Sequence, residues 1–165
     1  MYIQILKTEA SPRDVLLAHF KSLGGELPIC GGWGYSMQDA CILSNENPDA
    51  DGIPFDWLGW QDVFIEKRLH EELIIQRPVG DSFSGIQWRH QSQRLVHQGG
   101  RAFDHITVEV QAMPERVWEE LKAEFEGAGG IENPNFDFDK HLAKRQQSTI
   151  TLIREYWFDI TGKFR

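Results

Sequence analysis

Cysteine is nearly missing from this chain: Cys30 and Cys41 are the only two in 165 residues. Without a second pair or a histidine cluster beside them they do not spell a zinc site. Neither has a Lys, Arg or His within five residues, so nothing in the local sequence makes either thiol acidic and reactive. Two reduced, mostly buried thiols are expected, not a disulfide.

Long hydrophobic runs are lacking as well. No stretch approaches the roughly 18–20 apolar residues that a bilayer crossing needs. Met1-Tyr2-Ile3-Gln4-Ile5-Leu6 reads as a strand from the first residue, with no basic segment ahead of an apolar one. No Asn-x-Ser/Thr triplet occurs. These absences predict a cytoplasmic protein with no membrane partner.

The strong catalytic signatures are absent too: no GxxxxGK[ST] phosphate loop, no HExxH, no CxxC and no GxSxG. His70-Glu71-Glu72-Leu73 opens like a zinc-protease helix but has no second histidine. Asn47-Pro48-Asp49-Ala50-Asp51-Gly52 imitates half a calcium loop. Leu58 stands where the bidentate glutamate belongs, and Pro54 blocks the geometry. Gly80-Asp81-Ser82 is not set between a strand and a helix as a nucleophile turn requires. No metal and no cofactor are expected, and no catalytic residue can be assigned.

What is present describes a globular body. The length fits one domain, and 41% hydrophobic with 25% charged residues is not the composition of a disordered chain. Six Trp, ten Phe and three Tyr predict an aromatic-rich core that forms without staples. The net charge is −8 and unevenly placed. Between Glu115 and Asp139 eight acids face only Arg116 and Lys122, a net −6. Such a surface repels phosphate backbones and anionic membranes, so no nucleic-acid partner is expected. A basic protein is the partner it permits, with Glu115, Glu119, Glu120 and Glu124 as candidate contacts; a solvated helix face explains the charge equally well.

Hydrophobic spacing gives the elements. A strand is expected over 2–7. Ser11 and Pro12 open a helix with Leu16, Phe20 and Leu23 inward, stopped by Gly24-Gly25. Ser36 and Asp39, at N-cap and N3 spacing, predict a short helical turn before a strand over Ala40–Leu43. Over 55–69 the pattern is ambiguous: Trp57, Trp60, Phe64 and Arg68 fall at helical spacing, while Val63-Phe64-Ile65 would suit a strand. A helix to about His70 is favoured, then Leu73-Ile74-Ile75 as a strand ending at Pro78. Alternation at Ile86, Trp88, His90 and at Ile106, Val108, Val110, about Gln98-Gly99-Gly100, predicts a long hairpin. Pro114 opens a helix that turns Val117, Trp118, Leu121 and Phe125 inward. Asp137 or Asp139 caps a short helix to Gln147. Ile150, Leu152, Tyr156, Phe158 and Ile160 share one strand face, interrupted by Arg154. The fold class is α+β: a mostly antiparallel sheet with two or three helices packed on one face, in a single domain spanning 1–165.

Gly31-Gly32-Trp33-Gly34-Tyr35 is the most unusual stretch. Three glycines in four residues permit a loop that grips a ligand, with Trp33 and Tyr35 as rims, or a tight bend that packs Trp33 into the core. Asp62, Glu66 and His70 recur at helical spacing and could line a base or a metal edge, or form an ordinary solvated face. His97 and His105 could face each other across the hairpin, with Asp104 pointing to the opposite side, but ordinary surface polar residues are the favoured reading. Phe55, Trp57 and Trp60 offer either a partner patch or core anchors, with two of them assigned to the core. Two functions follow. The first is a non-enzymatic protein-binding module of the acidic-inhibitor kind. The second is a small enzyme or ligand-binding domain with its pocket near Trp33, Tyr35, Arg68 and His70.

Overall fold

The computed structural model describes residues 8–23, 27–44 and 56–163. The expected strand over 2–7, the Gly24-Gly25 helix stop, the Asn47–Gly52 loop and Phe55 lie outside them. The architecture is α+β, built on one mixed, mostly antiparallel sheet. Its strands are β1 (Ile29–Gly31), β2 (Cys41–Leu43), β3 (Phe83–Gln98), β4 (Arg101–Pro114) and β5 (Ile150–Asp159). They lie in the order β1-β2-β5-β4-β3, with only the β2–β5 pair parallel.

The hairpin forms where the alternation predicted it. Positive-φ glycines at Gly99 and Gly100 close the turn. Pairing runs from Gln98↔Arg101 back to Phe83↔Pro114, broken by irregularities at Ser84/Gln87 and His90/Ser92. β4 lies between β3 and β5, and nearly every inward position on it is apolar: Ile106, Val108, Val110 and Ala112 are at most 1% exposed.

Four α-helices complete the described chain. α1 (Pro12–His19) begins at its expected proline, although the Ser11 side chain makes no capping bond. α2 (Trp57–His70) is capped by Asp56, which accepts from the Gly59 N–H at 2.8 Å. α1 and α2 supply Leu16, Phe64, Ile65 and Leu69 to a core shared with Ile106, Val108, Leu152, Tyr156 and Phe158. Trp57 and Trp60 pack partly buried against it. α3 (Glu115–Gly127) and α4 (Phe138–Ser148, capped by Asp137) pair with each other, and α3 rests on the base of the hairpin.

Three sequence expectations are corrected. Leu73-Ile74-Ile75 is not a strand: Glu71–Ile75 continues α2 as a widened, π-helical turn. Leu73 stays in phase with Leu69 and is fully buried, whereas Ile74 and Ile75 face solvent, so the helical period prevails over a short β-prone run. Ser36 and Asp39 make a turn without a helix; the Asp39 carboxylate reaches back to the Ser36 N–H at 2.6 Å and hydroxyl at 3.0 Å. Cys41 is buried but Cys30, one residue from the β1 edge glycine, is exposed; both are unpaired.

Candidate functional site

Two polar side chains break the apolar stripe of α2. Its buried positions are Gln61, Phe64, Ile65, Arg68 and Leu69, a helical spacing of three and four. Gln61 and Arg68 therefore point where leucines would be cheaper to bury, and each organises a separate polar cluster.

Arg68, 1% exposed, lies with its guanidinium over the ring of Tyr156 at 3.5 Å and of Tyr35 at 4.3 Å. Its Nη1 donates to the Trp33 carbonyl at 2.9 Å and its Nη2 to the Glu155 carbonyl at 2.6 Å. The glycine-rich run explains how Trp33 reaches it. Gly34 has φ +73°, donates to the Asp39 carbonyl at 2.7 Å and accepts from the Trp157 N–H at 2.9 Å. An added Cβ there would stand 2.9 Å from the Trp157 carbonyl oxygen, so glycine is what lets this loop lie against β5. The Trp33 indole is buried and donates to the Ala10 carbonyl at 2.9 Å.

The widened turn adds two carboxylates to the interior. Glu72 receives Arg154 through Nε at 2.7 Å and Nη2 at 2.6 Å. Glu71 meets His19 of α1 and accepts from the Gln76 amide at 3.1 Å. Burial raises the phenol pKa values of Tyr156 and Tyr35, opposed by Arg68. Burial likewise pushes the Cys41 thiol well up, away from reactivity. Trp33, Tyr35 and Arg68 thus come together, but His70 does not join them. It turns toward α1, its ring 6.2 Å from Phe20, and burial, then Lys67, lowers its pKa. None of these side chains lines either of two surface clefts, one between α2 and β3, the other between α4 and the base of the hairpin.

The first cleft encloses about 310 Å³ among Leu58, Gln61, Asp62, His90, Gln91, Ser92 and Gln93. Asp104, 9% exposed, accepts from Gln61 Nε2 at 2.8 Å and from Gln93 Nε2 at 2.6 Å. A carboxylate can only accept, so both amides must turn their nitrogens to it. Neither amide oxygen then accepts a hydrogen bond among the described residues. Asp62 meets His90 Nε2 at 2.9 Å, and Leu58, 65% exposed, forms an apolar lip. The lining is therefore rich in acceptors held by a buried anchor.

The other candidates fall in different places. Of the Asp62, Glu66 and His70 line, only Asp62 faces this cleft; Glu66 pairs with Lys67 at 3.2 Å. His97 and His105 do not oppose each other, because His97 pairs with Ala102 and His105 with Arg94. His105 is on the far face of the sheet from Asp104, stacked at 4.0 Å on Trp157 and accepting from Arg94 Nε at 2.9 Å. Burial lowers its pKa, against the pull of Glu155 3.6 Å away. On α3 the candidate acids are largely answered. Glu115 accepts from Ser82, Glu120 faces Arg116 at 3.8 Å, and Glu124 holds Lys144 at 2.8 Å, which lowers the Glu124 pKa. Glu119 alone of the four has no partner among the described residues.

Among the described residues no group of three His, Cys, Asp or Glu could hold a metal ion, and no helix is long and apolar enough to cross a membrane. Gln61, His90, Gln93 and Asp104 were not among the site residues read from the sequence. The signal was available: Gln61 is in phase with Phe64 and Arg68, and Asp104 with Ile106, Val108 and Val110. A polar residue on an apolar period marks a buried polar anchor. Comparison with protein-family models, curated proteins and solved structures gave no match.

Proposed function

We propose that this chain is a non-enzymatic binding module whose α2–β3 cleft takes a cationic, donor-rich side chain, arginine or lysine, of a basic partner. The observation that carries this reading is the Asp104 anchor, which ties down the nitrogens of Gln61 and Gln93 and leaves their oxygens, with the Asp62 oxygen that His90 does not engage, as the polar ends to be met. A guanidinium carries only donors and satisfies such a lining without leaving a buried acceptor unpaired. The net charge of −8 favours the approach of a basic protein. The acidic face of α3 is the weaker docking surface, since three of its four candidate acids already have partners.

The test is an NMR titration with N-acetyl-arginine amide, following the side-chain amide signals of Gln61 and Gln93. One side chain of a larger partner should bind in the millimolar range, roughly −4 kcal/mol. Asp62→Asn should weaken it about tenfold, the loss of one charge-assisted contact. Amide signals that stay still, or that move as much with N-acetyl-glutamate amide, would count against the reading.

A further inference from the structure

β3, one of the two edge strands of the described sheet, has β4 on one side and no neighbour among the described residues on the other. Exposed edges are usually blunted by lysine, proline, bulges or brevity. β3 carries its two irregularities in its first half, at Ser84/Gln87 and His90/Ser92. From Ser92↔Thr107 to Gln98↔Arg101 the pairing is unbroken, and the strand holds no Lys, Pro, Asp or Glu there. This run is a regular row of peptide groups facing outward, suited to receive another strand.

Charge decides which strand. From Ser82 to Phe103 the chain contains Arg89, Arg94, Arg101, His90 and His97 and not one acid, although the whole chain is at −8. Arg89 is held by Glu109 at 2.9 Å and Arg101 by Asp159 at 2.6 Å. Arg94, in the middle of the regular run, has no carboxylate within ion-pair distance among the described residues. Its Nε is spent on His105, and its terminal nitrogens make no hydrogen bond there. On the opposite face of the strand the neighbouring Leu95 is 60% exposed. A second copy would set two cationic strands side by side with no carboxylate between them.

We propose that the free edge of β3 over Ser92–Gln98 accepts an extended segment of an acidic partner as an added strand, a carboxylate meeting the Arg94 fork on one face and an apolar side chain covering Leu95 on the other. Ser92 and Gln93 also line the α2–β3 cleft, but the edge uses the outward peptide groups, Arg94 and Leu95, none of which the cleft employs, and takes a partner of opposite charge.

The probe is a fluorescein-labelled eight-residue peptide alternating glutamate and valine, read by anisotropy against the whole protein. It should bind at least about tenfold tighter than the same peptide with lysine for glutamate. Arg94→Glu and, independently, Leu95→Lys should each cut binding by about tenfold or more while the circular-dichroism melt is kept. Methylating alternate peptide nitrogens on the probe should abolish binding, and Asp62→Asn should leave it unchanged. The proposal is overturned by equal affinity for the lysine peptide, by indifference to both variants, or by no binding up to about 1 mM peptide. Sedimentation showing a wild-type dimer that Leu95→Lys dissociates would instead assign the edge to a second copy.

Discussion

Glu72 and Arg154 lose almost all their hydration on folding, at 1% and 7% exposure, and each makes the other's burial tolerable. Their value is best seen in what remains when one is removed. Arg154→Met leaves a carboxylate inside the core without its 2.6 Å partner, and the expected loss is about 3–5 kcal/mol by urea denaturation. Adding Glu72→Leu to that variant should recover most of it, because the lone charge is then gone. A double variant as unstable as the single would show that Arg154 acts through its other contacts. Arg68 belongs to the same interior, and its planar fork between two rings is a role that lysine does not fill.

At the scale of elements, the hairpin and α3 are joined through a glycine. Gly85 has φ +63°, and an added Cβ would come 3.0 Å from the Trp118 ring on α3. Gly85→Ala should therefore destabilise by about 1–3 kcal/mol, from backbone strain and overpacking together. Trp118 fluorescence should shift in the same variant; an unchanged melt and spectrum would mean that the indole moves aside freely. The elements themselves were readable in the sequence where a period was long. The hairpin, α3 and β5 repeat their pattern over many residues, and each formed as the spacing implied. The short run Leu73-Ile74-Ile75 carried no such weight. Its apolar, β-branched character suits a strand, but Leu73 was already claimed by the helical stripe that began at Gln61.

Across the whole molecule, the described core draws on α1, α2 and all five strands, while its thiols are unpaired. Heating should therefore give one cooperative transition, with a midpoint indifferent to EDTA and to dithiothreitol. Two separated transitions in calorimetry, or a midpoint lowered by either reagent, would contradict a body held by packing alone.

The sequence by itself determined the α+β class, the long hairpin and the apolar faces, because backbone periodicity of two or 3.6 is written directly into the order of residues. It also determined the uneven charge. Only the tertiary structure decided what the polar residues on those faces do. Gln61 and Gln93 meet at Asp104, and Arg68 lies between Tyr35 and Tyr156, through contacts between residues far apart in the chain. Periodicity says which way a side chain points; which other segment stands opposite it is set by strand order and helix packing, and a local pattern carries no record of either.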